Sequence, residues 1–145
     1  MKKFKFRLEQ VLRFRKIVKD EKRRILAEAN AGLTEAEEHL DLLKRQLGQV
    51  YVKTNEIMGG EDFYLADMYS QRLENEILRQ KDLILIREES VRVALADYVE
   101  ASKETKTLET LKSRKLAAYN EVVLSEDAKF LDELATQKGN TLKQG

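Results

Sequence analysis

Proline and cysteine are both absent from this chain of 145 residues. Without proline, no residue forbids a helix from running on unbroken. Without cysteine, disulfides, zinc–thiolate centres and thiol catalysis are excluded, and the absence fits a reducing compartment. Glycine occurs only six times, and turn formers and β-branched residues are too sparse for a multi-stranded fold. No apolar run approaches the ~18 residues that a bilayer span requires. The opening MKKFKFRLEQ is not followed by the long apolar stretch of a secretory signal. These absences lead to the expectation of a soluble, cytoplasmic protein of one domain.

What remains is charge and helix formers. Charged residues make up 37% of the chain, and Leu, Ala, Glu, Lys and Arg dominate it as a whole, the composition of long helices or coiled coils. The formal net charge of +1 hides a strong polarity. Residues 1–24 carry eleven Lys/Arg against three Asp/Glu, residues 25–76 carry four against eleven, and residues 77–145 carry twelve of each.

Apolar residues recur at alternating steps of three and four, the seam of a left-handed coiled coil. The first half reads Leu8, Val11, Val18, Ile25, Ala36, Leu40, Leu43, Leu47, Val50 and Ile57. A step of four and four from Gly32 through Ala36 to Leu40 predicts a stutter that locally unwinds the supercoil. The second half reads Leu73, Ile77, Ile84, Val91, Ala94, Tyr98, Ala101, Leu108, Tyr119 and Val122, with Gln80, Arg87, Thr105, Lys112 and Lys115 as polar insertions.

The strongest break is the Gly59-Gly60 pair, at about 1 kcal/mol per glycine relative to alanine. Glu61 and Asp62 follow, acidic residues suited to a helix start. The expected fold is all-α: one helix over about 4–57, a turn near residues 58–63, a second helix over about 63–137 and a frayed tail over 138–145. A short connection makes the two helices antiparallel neighbours, with residue i opposite about residue 120 − i. Helix two then overhangs beyond about Tyr119.

Little in the sequence can do chemistry. His39 is the single histidine, Glu35 and Asp41 do not stand at a metal-ligand spacing from it, and it reads as a surface residue. The glycine pair forms no phosphate-binding loop. The many carboxylates fall on solvated helix faces, with no concave pocket to tune them. No enzyme activity, metal or cofactor is expected.

Two clusters point instead to contacts. At the N-terminus, Phe4, Phe6, Leu8, Val11, Leu12 and Phe14 interleave with Lys2, Lys3, Lys5, Arg7, Arg13, Arg15 and Lys16. Three readings stand open: a helix end packed on helix two, a dock for a partner with an acidic rim, or a basic amphipathic surface for anionic lipid or nucleic acid. The chain as a whole is not basic and shows no recognition-fold signature, so no nucleic-acid partner is expected. Near the turn, Tyr51, Phe63, Tyr64, Met68 and Tyr69 either cap the hairpin core or form a contact surface.

The opening Phe4-x-Phe6-x-Leu8-x-x-Val11-Leu12-x-x-Arg15, the Met58-Gly59-Gly60 break, the run Tyr69-x-x-x-Leu73-x-x-x-Ile77 and the closing Glu126-x-x-x-x-Leu131-Asp132-Glu133-x-Ala135 together resemble the FliJ family of the bacterial flagellar type III export apparatus. The resemblance covers nearly the whole chain. It implies an antiparallel coiled coil acting as a stalk for the hexameric export ATPase FliI, with contacts to the export gate protein FlhA and to flagellar export chaperones. It also implies a place at the cytoplasmic face of the inner membrane, reached through those partners. By the same resemblance, Phe4, Phe6, Leu8, Val11, Leu12, Arg13, Arg15, Lys16, Leu131, Asp132 and Glu133 would meet the ATPase. His39, Leu43, Gln46, Val50, Tyr69, Leu73, Glu76 and Gln80 would meet the gate, although Leu43, Val50 and Leu73 also lie in the expected seam. Alternative readings are the equivalent stalk of a virulence-type secretion system and a coiled-coil scaffold with a membrane-surface N-terminus.

Overall fold

A computed structural model describes residues 2–56 and 59–144. Among them are two α-helices and no strand: α1, Glu9–Thr54, and α2, Gly60–Gln144. The helices pack against each other as a hairpin. Their contacts divide the chain into two compact units, one of residues 19–101 and one of residues 1–18 with 102–145.

The reversal falls between Thr54 and Gly60, at the early edge of the expected 58–63 window. Ile57, expected as the last seam residue of helix one, and Met58 of the break lie outside the described residues. The Phe63 amide donates to the Gly59 carbonyl at 3.0 Å, so Gly59 caps α2 and Gly60 opens it. Glu61 and Asp62 then occupy the first turn, at the positive end of the helix dipole.

The unit of residues 19–101 has its core at Leu43, Val50, Leu73 and Ile77, with Leu40, Leu47 and Ala66 packed against it. On α2 the covered positions run Ser70, Leu73, Ile77, Gln80, Ile84, Val91, Ala94, Tyr98 and Ala101, on the expected phase. On α1 they run Leu26, Ala29, Leu33, Ala36, Leu40, Leu43, Leu47 and Val50. This corrects the expected stutter: steps of three and four continue without interruption through Leu33. Gly32 has no side chain to bury, whereas Leu33 keeps the 3.5-residue period and carries four carbons into the seam. Ile25, expected in the seam, is displaced by Leu26 for the same reason and stays exposed.

Polar residues within the seam of this unit are satisfied. Gln80 is buried, and its side-chain amide donates to the Ala36 carbonyl at 2.9 Å. A slip of one heptad would strand that amide in the apolar seam, so the bond helps to fix register.

In the other unit, Leu12 and Thr105 are almost fully buried, at 1% exposure each, with Leu8 and Leu108 half-buried nearby along the chain. Leu12, not the expected Val11, is the seam residue; Val11 is exposed. The first helix also starts at Glu9 rather than near residue 4. The segment Lys3-Phe4-Lys5-Phe6-Arg7-Leu8 alternates basic and apolar at a period of two, which suits an extended strap over residues 3–6; Arg7 and Leu8 then form the turn into α1, with the Glu9 amide donating to the Phe6 carbonyl at 3.1 Å. Phe4, Phe6 and Leu8 are accordingly half-buried, while Lys3, Lys5 and Arg7 point to water.

α2 continues to Gln144, beyond the expected end near 137. Gly139 alone costs roughly 1 kcal/mol and does not stop it, and Thr136 and Thr141 return their hydroxyls to the carbonyls of Asp132 and Gln137. Among residues 120–141 only Val123 and Gly139 are not exposed, so this stretch is a helix with almost nothing packed on it, the expected overhang. No helix among the described residues is long and apolar enough to cross a membrane.

Candidate functional site

The unit of residues 1–18 and 102–145 carries the N-terminal cluster. Here the extended strap lies on α2: the ring of Phe4 meets that of Tyr119 with centroids 5.6 Å apart and planes tilted by 46°. The Tyr119 hydroxyl donates to the Lys2 carbonyl. Further in, the Lys112 ammonium is 2.8 Å from the Glu9 carboxylate, Arg15 pairs with Glu104, and the Thr105 hydroxyl donates to the Arg15 carbonyl at 3.2 Å. These contacts tie the strap and the start of α1 to one stretch of α2.

The hydrogen bond from Lys112 holds the Glu9 carboxyl below the usual carboxylate range, with the charges of Lys112, Arg13 and Lys16 adding to it and burial opposing. A depressed pKa means that the native state is favoured above the unfolded-state value of ~4.3 and loses that advantage as pH falls through the native value. Carboxyl titration by NMR should therefore place Glu9 below the usual carboxylate range, and Lys112→Met should raise it. An unchanged Glu9 midpoint in Lys112→Met would refute the pairing.

Of the residues expected to meet an ATPase, the structure sorts three groups. Leu12 is buried, and Phe4, Phe6, Leu8 and Arg15 are half-buried within the unit. Val11, Arg13 and Lys16 are exposed on the first turns of α1, and Leu131, Asp132 and Glu133 are exposed on the overhang. Val11 and Phe14 are joined on the outer face by Ile17, which is 66% exposed. Ile17 was missed by the sequence reading, although it stands one turn beyond Phe14, the spacing that puts two side chains on one face. The result is an apolar stripe of Val11, Phe14 and Ile17 flanked by Arg13 and Lys16. The first reading of the N-terminal cluster thus holds for one face, which packs on helix two, while the face of Val11, Phe14 and Ile17 is bare.

A shallow groove of about 450 Å³ runs between the strap and α2, floored by Phe4, Phe6, Leu8 and Leu111 and rimmed by Lys5, Arg7 and Lys115. An apolar floor with a cationic rim suits an acidic, amphipathic protein segment.

The residues expected to meet an export gate lie in the other unit. Leu43, Val50, Leu73 and Gln80 are buried in the seam, Gln46 and Glu76 are half-buried, and His39 and Tyr69 are exposed. The aromatic cluster near the turn is on the surface: Tyr51, Phe63, Tyr64, Met68 and Tyr69 are all exposed, which disfavours the reading in which they cap the core. The Tyr51 hydroxyl donates to Glu74, which raises the tyrosine pKa above its ordinary value. No group of three or more His, Asp or Glu side chains among the described residues could hold a metal ion.

A search of curated proteins finds no significant match. A scan against family models matches residues 4–141 to the flagellar FliJ protein family. The match takes in the strap, the reversal and most of the overhang, the same elements whose geometry is described above. This chain therefore belongs to the flagellar FliJ family, and is a non-enzymatic component of the flagellar export apparatus.

Proposed function

We propose that this protein is the stalk of the flagellar export ATPase FliI, and that the unit of residues 1–18 and 102–145 is the part that enters the ATPase ring. The reading rests on the bare apolar stripe of Val11, Phe14 and Ile17, flanked by Arg13 and Lys16 and accompanied by an unpaired helix over residues 120–141. Apolar groups held in water on a rigid helix are contact residues, and flanking charges set orientation and encounter rate. The chain supplies no chemistry of its own. It acts by binding, favouring the assembled, active ring over its separate subunits. Contact with the gate protein FlhA is assigned to the exposed members of the second set, His39 and Tyr69, with the edges of Gln46 and Glu76. The place of action is the cytoplasmic face of the inner membrane at the flagellar base, reached through these partners, with export chaperones as further ligands.

The test is turnover of the cognate ATPase with and without this protein. Stimulation is expected. Arg13→Glu with Lys16→Glu should raise the half-maximal concentration by roughly tenfold or more, since both side chains are exposed and neither makes an ion pair across the hairpin among the described residues. Arg15 is left alone because its partner Glu104 makes it structural. An ATPase indifferent to the wild-type chain would defeat the proposal.

A further inference from the structure

We propose that a second copy of this chain docks on the flank of α2, beside its seam with α1, between Arg79 and Asp97, antiparallel to the first, about a two-fold axis at the level of Glu88. The heptad seam of the hairpin leaves a second line of residues on α2, again at steps of four and three: Arg79, Leu83, Ile86, Ser90, Val93 and Asp97. Its centre is apolar. Ile86 is 63% exposed and Val93 46%, while Leu83 is half-buried beside the seam. The Ser90 hydroxyl is turned back on the Ile86 carbonyl at 3.1 Å, so the small residue presents little polarity to a neighbour.

The line reads the same in both directions once charge and size are considered. Reversed about the level of Glu88, it sets Arg79 against Asp97, Leu83 against Val93 and Ile86 against Ser90. Every pairing then occurs twice, as an isologous interface demands. Neither Arg79 nor Asp97 makes an ion pair among the described residues. Both are available to a second copy, one at each end of the patch.

There is also a recess for the protruding side chain. A hollow of about 320 Å³ is lined by Ile25, Glu89, Ser90, Val93, Ala94 and Asp97. In the reversed register the partner copy's isoleucine at position 86 faces this hollow, and this copy's Ile86 faces the partner's. Knob and hole lie on one surface, the self-complementarity that a two-fold contact needs. An unrelated partner would have no reason to match the reversal of charge. The face spans about 18 residues, or ~27 Å of helix, so the dimer should be weak, with a Kd on the order of tens of micromolar.

Sedimentation equilibrium of the full chain over a range bracketing that concentration reads the proposal. The wild type should pass from monomer to dimer. Ile86→Glu, at a surface position, should keep its helix content by circular dichroism and raise Kd at least about tenfold. Arg79→Asp and Asp97→Arg should each weaken the dimer, and the two together in one chain should restore it. Three results would overturn it: a wild type that stays monomeric, a dimer indifferent to Ile86→Glu, or a double charge swap no better than either single one. A monomer that instead bound another export component through Ile86 would also overturn it, in favour of a different occupant.

Discussion

Leu43→Ala and Leu73→Ala are each expected to lower stability by roughly 2–5 kcal/mol, the range for emptying a well-packed leucine site. Both side chains are 3% exposed and lie in one cluster with Val50 and Ile77. A two-helix hairpin has only one seam, so neighbouring side chains can collapse onto the gap from one side alone, and the loss is a large part of what the fold possesses. The measurement is urea unfolding followed by circular dichroism. The internal control is Leu42→Ala, one residue along and 48% exposed, which should stay within about 0.5 kcal/mol of wild type. Equal effects at positions 42 and 43 would mean that the seam is assigned to the wrong face.

Phe4→Ser combined with Phe6→Ser should release the strap. Each ring is half-buried, and losing both is expected to cost about 2–4 kcal/mol locally. Amide exchange over residues 102–119 should speed by about thirtyfold or more, while exchange around Leu43 and Leu73 should stay as it was. Phe14→Ser, at a ring 59% exposed, should change neither region. Lys3→Ser with Lys5→Ser tests the alternation itself: both side chains face water, so the strap should hold. If the lysine pair loosened residues 102–119 as much as the phenylalanine pair, the segment would not be an extended strap with one apolar edge.

The fold class could be read from the sequence because its determinants are local and periodic. Every apolar seam position expected on α2 from Leu73 to Leu108 is covered, whereas Arg87, expected there as a polar insertion, is exposed with its side chain lying across Gly32. On α1 a rival phase existed. Val11 and Leu12, Ile25 and Leu26, and Gly32 and Leu33 are adjacent pairs, and composition does not say which member faces in. The rule of an unbroken period does, and it selects Leu12, Leu26 and Leu33 together. The strap was also legible, in the strict alternation of Lys3 through Leu8, but a short period-two stretch is hard to see beside forty residues of helix. What the sequence could not reveal is exposure on the outer faces. Ile17 and Ile86 look like core residues by type, and only the placement of the partner helix shows them bare.

The helix over residues 120–141 has consequences for affinity. An isolated helix of this length is marginal in water, because the cost of nucleation is spread over few turns. Here the nucleus comes free, since the stretch merely continues a helix anchored at Tyr119 and Lys112. Its persistence then depends on intrinsic propensity alone, residue by residue towards the C-terminus. Whatever grips Leu131 or Leu134 must first draw on that reserve, so binding strength and the cohesion of the free tail are one quantity. Gly139→Ala, which meets no atom within 4 Å, should stiffen the tail and tighten its ligands without touching them.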